Sequence, residues 1–167
     1  EEKIAEMLKS IQIELSTEKG KQKVFLNGQD VTDKIRSKEV SANVSPVSSI
    51  KQVRLAMGGL QRKMAQGKDV IMEGRDIGTV IFPNADVKIY LDANVEVRAK
   101  RRVKQNEEKG IKMSYEEVLE NIKKRDKNDM EKEMGALKVA EDAVVIDGSE
   151  MTIKEVEKAI SNVIDKK

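Results

Sequence analysis

The chain has 167 residues, about the size of one domain, and 37% of them are charged. Its 32 basic and 30 acidic residues nearly cancel and only 2% are aromatic, which argues against binding of nucleic acid through phosphate contacts or base stacking. Histidine and cysteine are absent, which excludes the usual zinc sites, disulfides and triads with a histidine base. No apolar run approaches the ~20 residues of a membrane span. We therefore expect a cytoplasmic protein, with no membrane or nucleic-acid partner, whose chemistry uses carboxylates, lysines, arginines and backbone dipoles, as phosphoryl transfer does.

The first predicted elements are a helix and a hairpin. Apolar residues at helical spacing predict a helix over residues 2–15. The stretch KVFLNGQDVT (23–32) predicts two short strands joined at Asn27-Gly28. A second amphipathic pattern predicts a helix from Ile50 to about Gly67.

The second half alternates short apolar runs with helical patterns. The predicted strands are 70–72, 87–91 and 143–146, and the predicted helices are 94–108, 115–130 and 152–165. Continuous apolar runs that alternate with helices indicate a parallel sheet buried on both faces, hence an α/β fold. The charged, glycine-containing stretch 103–114 has little to bury and is a candidate mobile flap.

The turn Gly74-Arg75-Asp76 follows the first of these predicted strands. In open α/β sheets ligands bind beyond the carboxyl ends of the strands, and the planar guanidinium of arginine matches a phosphate. Arg75 and Asp76 are therefore candidate ligand contacts. A surface salt bridge of little energetic value is the alternative.

Two helices carry further candidate charges. On 115–130 the apolar stripe continues into Arg125 and Asp129, and one turn further the same spacing reaches Lys132. The alternative is an exposed helix end with ion pairs four residues apart. The helix over 94–108 carries a dense basic cluster, which is either a solvated face or a phosphate-neutralising surface.

Several separated motifs resemble the bacterial cytidylate kinases. They are MEGRDIGTVIFPNADVKIYLDANVEVRAKRR, RDKND with ALKVAEDAVVID, and VFLNGQDVTDKIRSKEVSANVSPVSSIKQVR. The resemblance covers nearly the whole chain. It implies a P-loop nucleoside-monophosphate-kinase-like parallel sheet with flanking helices, and transfer of the γ-phosphoryl group of ATP to CMP or dCMP with Mg²⁺ in a monomeric enzyme.

The resemblance also implies roles for individual residues. Ser45, Arg54 and Asp76 match contacts to the cytosine base, and Arg75 matches an arginine that holds the acceptor phosphate and acts in catalysis. Arg125, Asp129 and Lys132 match contacts to the phosphate and ribose of the monophosphate. Arg101 and Arg102 match the basic end of the helix that leads into the lid over ATP, with Arg102 also in a catalytic role. No residue is assigned to a metal.

The resemblance further implies a division of the chain. It predicts a core helix over 1–15, a monophosphate-binding insert over 16–50, and the remainder of the kinase core over 51–167 with a lid at about 100–128.

The sequence also departs from the family. None of its ten glycines begins the G-x-x-x-x-G-K-[ST] pattern of a P-loop, so the N-terminal P-loop strand and helix of the family are expected to be absent and this chain alone inactive. Lys132 stands where the family usually has arginine, which keeps the charge but loses the bidentate fork. Three alternatives remain open: a non-catalytic CMP-binding fragment, a kinase for another nucleoside monophosphate, and a helical protein-interaction domain without a nucleotide site.

Overall fold

The computed structural model describes residues 2–167, without the side chains of residues 2, 5, 38, 41 and 42. The described chain forms two compact units, Glu1–Lys68 and Asp69–Lys167. It has the mixed α/β composition that the sequence predicts, with a parallel sheet in the second unit. The predicted segment boundaries at residues 15 and 50 differ from the division after Lys68, and the functional meaning of those segments stays a prediction.

The first unit combines an antiparallel sheet with helices. Its elements are α1 (Glu2–Leu8), β1 (Ile13–Glu18), β2 (Lys21–Leu26), β3 (Gln29–Asp30), a 3₁₀ turn (Lys34–Arg36), α2 (Lys38–Ser48) and α3 (Lys51–Ala65). The sheet order is β1-β2-β3, and the Asn27-Gly28 turn joins β2 to β3 as predicted. Both turn residues have positive φ (50° and 78°), which matches the twist of a two-residue hairpin. Helix α3 confirms the amphipathic helix predicted from Ile50 to about Gly67.

The predicted helix over 2–15 is wrong beyond Leu8, and Glu1 lies outside the described residues. Residues Ile13–Glu18 instead form β1, which pairs with β2 across a two-residue turn at Lys19-Gly20. Both turn residues again have positive φ (50° and 74°). This tight turn favours a hairpin, in which Ile13 pairs with Leu26 and Leu15 with Val24 across the ladder.

The second unit contains a two-stranded parallel sheet and three long helices in its described part. Its elements are a π-helical turn (Ile77–Ile81), β4 (Ile89–Asp92), α4 (Val95–Glu108), α5 (Tyr115–Met130), β5 (Val144–Asp147) and α6 (Ile153–Ile164). Strand β4 pairs in parallel with β5 from Ile89↔Val144 to Asp92↔Asp147. The three helices confirm those predicted over 94–108, 115–130 and 152–165. Asparagine, serine and threonine side chains cap their N-termini.

The predicted strand 70–72 does not form within the described residues. This segment has no ladder partner there, and Ile71 is 95% exposed. An isolated run of β-forming residues gains no hydrogen bonds from an extended backbone, so its composition alone does not make a strand. The expectation of a sheet buried on both faces is likewise not met, because Leu91 and Val145 are more than half exposed.

Candidate active site

The Arg75-Asp76 turn leads into a single π-helical turn rather than out of a strand. The Asp76 carbonyl accepts hydrogen bonds from the backbone N–H of Val80 (2.9 Å) and of Ile81 (3.3 Å), which closes the turn. Asp76 is only 6% exposed. Short π-helical turns occur often at functional sites, and here the turn begins two residues after Arg75.

Helix α5 supplies the second part of the site. Its N-terminus is a capping box in which Ser114 and Glu117 satisfy each other's backbone N–H groups. From there the helical repeat places Arg125 and Asp129 one turn apart on the same face. The backbone carbonyl of Asp129 accepts a 2.7 Å hydrogen bond from the N–H of Leu137, which ties the following segment back to the helix end.

Three cations surround the carboxylate of Asp129. Lys132 Nζ donates a hydrogen bond of 2.9 Å to Oδ1. On the other side, Arg75 Nε lies 3.2 Å from Oδ2 and Arg125 Nε lies 3.8 Å from it. The Asp129 side chain is 7% exposed, whereas those of Arg75 and Arg125 are 44% and 63% exposed. We call Arg75, Arg125, Asp129 and Lys132 the Asp129 cluster.

The Asp129 cluster carries an excess of positive charge at a partly open surface. Three cations and one carboxylate leave two net positive charges, which is the complement of a phosphate monoester at neutral pH. Arginine offers a planar donor fork and lysine a point charge, and both bind phosphate oxygens. The arrangement is therefore chemically suited to hold a phosphate group.

The two arginines assigned to the lid differ in their contacts. Arg101 Nη2 donates to the backbone carbonyls of Gly148 (2.7 Å), Ser149 (3.1 Å) and Met151 (3.2 Å). Arg102 Nη1 donates to Gln105 Oε1 at 2.8 Å. Arg101 thus holds the loop after β5, while Arg102 makes one hydrogen bond within its own helix.

The loop that Arg101 contacts is held by its own polar residues. Ser149 donates from both its backbone N–H and its hydroxyl to Asp147 Oδ1, and these bonds lower the pKa of the Asp147 carboxyl. No local sequence pattern reveals this loop, because its partner Arg101 is 47 residues or more away in the chain.

Another basic residue of α4 links two helices. Arg98 Nη2 donates to Asp126 Oδ2 at 2.7 Å, and its Nε donates to the carbonyl of Ala93 at 2.9 Å. This pair connects α4 to α5. Part of the basic cluster predicted on 94–108 therefore serves the packing of the unit.

The remaining predicted contacts lie in the first unit. Ser45 is on α2, where its carbonyl accepts hydrogen bonds from the hydroxyls of Ser48 and Ser49, and Arg54 is half-buried on α3. The structure thus brings Arg75, Arg125, Asp129 and Lys132 together in the second unit, and it places Ser45 and Arg54 on two helices of the first. The function of each of these residues stays a prediction.

The part of the chain that the structure describes contains no group of three acidic, histidine or cysteine residues able to hold a metal ion. Asp126 pairs with Arg98, and Asp129 pairs with Lys132. Within the same residues, no helix is long and apolar enough to cross a membrane.

Comparison with known proteins identifies the family. The family model for cytidylate kinase matches residues 1–166. The cytidylate kinase of Caldicellulosiruptor bescii is 50% identical over 154 residues, which are 92% of this chain and 68% of that protein. The cytidylate kinase of Bacillus subtilis is 47% identical over all 167 residues, which correspond to 75% of its length. The cytidylate kinase of Lactobacillus gasseri is 46% identical over 167 residues and 73% of its length. The chain therefore belongs to the cytidylate kinase family.

Proposed function

We propose that the protein transfers the γ-phosphoryl group of ATP to CMP or dCMP and so forms CDP or dCDP. The single observation that carries this proposal is the Asp129 cluster, in which three cations from two separate segments meet at a partly open surface. Such a site suits the phosphate of a nucleoside monophosphate. Membership of the cytidylate kinase family supports CMP as that monophosphate.

In this reaction an oxygen of the CMP phosphate attacks the γ-phosphorus of ATP, the bond to the β,γ-bridging oxygen breaks, and ADP leaves. No covalent enzyme intermediate is needed. Arg75, Arg125 and Lys132 hold the acceptor phosphate and reduce its repulsion against the negatively charged γ-phosphoryl group. Mg²⁺ carried by the nucleotide supplies further charge neutralisation when bound.

The family resemblance supports roles for the other predicted residues. It assigns Ser45, Arg54 and Asp76 to recognition of the cytosine base. Of the two lid arginines, Arg102 is the better candidate to contact ATP, because it releases only one side-chain hydrogen bond on moving. Arg101 would have to leave three backbone carbonyls.

A non-catalytic CMP-binding fragment is the second candidate. It is favoured by the absence of a P-loop pattern in these 167 residues, because that loop cradles the phosphates of ATP in this family. A polypeptide of only these residues would then bind CMP and transfer nothing.

A CMP titration beside a coupled ATP/CMP assay tests both candidates. Binding with formation of ADP supports the kinase, and binding without turnover supports the fragment. Comparing CMP, dCMP, UMP and AMP as acceptors identifies the preferred monophosphate. Failure of all four to bind would contradict both candidates and favour an interaction domain without a nucleotide site.

A further inference from the structure

We infer that Lys88 is a positioning residue for phosphoryl transfer: its side chain holds the π-helical turn that follows Arg75 and Asp76 against the parallel strand pair. The inference rests on the proposed function, in which Arg75 binds the acceptor phosphate. Its basis is a buried ammonium group that the proposed reaction does not use.

The side chain of Lys88 is almost completely covered although it is charged. It is 8% exposed, and its Nζ donates to the carbonyl of Pro83 at 2.6 Å and to Asp142 Oδ1 at 2.8 Å. A buried ammonium group is costly unless it is paired and hydrogen-bonded. The bond from Lys88 lowers the pKa of the Asp142 carboxyl, so the carboxylate stays ionised at neutral pH and neutralises the lysine. The two bonds therefore fix the end of this side chain in one place.

The backbone of Lys88 is attached to the sheet, whereas its side chain reaches the turn. Its carbonyl accepts a 2.9 Å hydrogen bond from the N–H of Val144, the first residue of β5. Its stem lies beside Gly78 in the π-helical turn, where a Cβ atom added to the glycine would stand 3.4 Å from Lys88 Cδ. Glycine at this position leaves room for the stem, so Lys88 links the strand pair to the turn.

Hydrogen bonds continue from Pro83 back to the candidate site. Phe82, which directly precedes Pro83, donates its N–H to the carbonyl of Ile77 at 2.7 Å and so closes the end of the turn. At the start of the turn, the carbonyl of Asp76 accepts hydrogen bonds from two further N–H groups. A displacement of the segment that Lys88 binds is therefore transmitted to Asp76.

Arg75 is joined to Asp76 by a peptide bond, and its Nε lies 3.2 Å from Asp129 Oδ2. A misplacement of about 1 Å in a group that positions a substrate can cost about 100-fold in rate. We therefore expect loss of the Lys88 ammonium group to misplace Arg75 relative to the acceptor phosphate. Because Lys88 itself is covered, it acts on the phosphate through Arg75.

The first test is amide hydrogen exchange on Lys88→Met, which keeps an unbranched apolar stem and removes the ammonium group. We expect the N–H groups of Val80, Ile81 and Phe82 to exchange at least about fivefold faster than in the wild type, because the turn loses its link to the sheet. Arg98→Met is the matched control, since Arg98 also donates to one carbonyl and one carboxylate in this unit. It should lower the Tm without changing exchange at these three positions.

The second test is a double-mutant cycle with Arg75→Ala, measured as the Kd for CMP at a temperature well below every Tm. In the wild-type background, Lys88→Met should raise the Kd about tenfold. In the Arg75→Ala background it should change the Kd by less than about twofold, because the group that Lys88 positions is absent. A purely structural Lys88 would give the same factor in both backgrounds, as Arg98→Met should.

Should Lys88→Met fail to fold, Asp142→Ala weakens the same link from its exposed end. The Asp142 side chain is 63% exposed, so its removal leaves no cavity, but the buried ammonium group loses its counter-charge. We then expect faster exchange at the turn and a Kd for CMP at least about threefold higher, again only while Arg75 is present.

Three results would overturn the inference, in whichever of the two variants folds. They are unchanged exchange at the π-helical turn, an unchanged Kd for CMP, and an equal change of that Kd with and without Arg75. If the wild type does not bind CMP, the proposed function fails and the inference fails with it; if it does, these results concern Lys88 alone.

Discussion

Arg75 and Lys132 contact different oxygens of the Asp129 carboxylate, yet their side chains differ in exposure to solvent. Lys132 is mostly covered and its Nζ is held at 2.9 Å from Asp129. Arg75 lies two residues before the π-helical turn and remains 44% exposed, so part of its side chain is open to solvent. The sequence predicted that these residues are candidate phosphate contacts, but only the structure shows that both meet Asp129.

Arg75→Ala should strongly reduce catalysis of phosphoryl transfer to CMP. We expect a loss of about 2–4 kcal/mol of transition-state stabilisation, roughly 30- to 900-fold in kcat/KM for CMP. The reason is that the variant lacks a preorganised cation at the acceptor phosphate, where the negatively charged phosphate and γ-phosphoryl group approach each other. Steady-state kinetics at saturating ATP, on a form of the enzyme that turns over, measure this ratio.

Lys127→Ala is the matched control for Arg75→Ala. Lys127 also lies on the second unit, but it is 71% exposed and its pair with Glu131 is long, at 3.9 Å. Its removal changes net charge by the same amount and should leave kcat/KM within about twofold, as expected for a weak surface pair. A loss below tenfold in Arg75→Ala would contradict the role assigned to Arg75.

Among elements, the helices were predictable because their evidence is local. Helix α5 has an apolar stripe at helical spacing and a capping box within its first turn, and both signals lie within 16 residues. Helix α6 likewise has a threonine capping box and an apolar face. The predicted ranges 115–130 and 152–165 agree with these two helices to within one residue at either end.

Strands were harder to predict because a strand depends on its neighbour. The apolar run 87–91 becomes part of β4 because β5 lies beside it, whereas 70–72 has no such partner among the described residues. Strand β1 was missed because Leu15 continues the helical spacing of Leu8 and Ile11. The hairpin turn at Lys19-Gly20 also lacks a strong sequence signal such as Asn-Gly. A short sequence window does not show which distant segment a strand will pair with, as β4 pairs with β5.

The hairpin β2–β3 supports a prediction about pH. The Asp30 carboxylate accepts hydrogen bonds from Lys23 Nζ (2.8 Å) and from the N–H of Thr32 (2.9 Å). These hydrogen bonds hold the pKa of Asp30 well below its ordinary value. The bond from Lys23 is the largest cause, followed by those from Thr32. Because the folded-state pKa is depressed, this contribution to stability is complete above the unfolded pKa and is lost as the pH falls toward the folded value.

Asp30→Asn should therefore lower the Tm at pH 7, and its difference from the wild type should shrink as the pH falls below about 4, near the ordinary pKa of aspartate. Thermal melts between pH 7 and pH 2 measure this difference. A constant difference for Asp30→Asn would show that the ion pair does not contribute to stability.

For the whole molecule, the near balance of 32 basic and 30 acidic residues conceals a local excess of positive charge. The average charge carries no information about the Asp129 cluster, which spans residues 75 to 132. Only folding places Arg75 beside the end of α5. A function based on this cluster should therefore depend on the phosphate of the ligand more than on its base or sugar.

CMP should accordingly raise the Tm of the whole chain much more than cytidine does. At a concentration of 100 times its Kd, a ligand that binds only the native state adds about 2.7 kcal/mol of stability. For a chain of this size that corresponds to roughly 5–10 °C in Tm. Cytidine at the same concentration lacks the phosphate and should give a small shift. In Arg75→Ala the difference between the Tm shifts given by CMP and by cytidine should largely disappear. In the wild type, raising the salt concentration should reduce this difference, because dissolved ions screen the exposed guanidinium groups. Equal shifts by CMP and cytidine in the wild type would mean that the cations around Asp129 do not bind the phosphate, whatever else the protein does with the nucleoside.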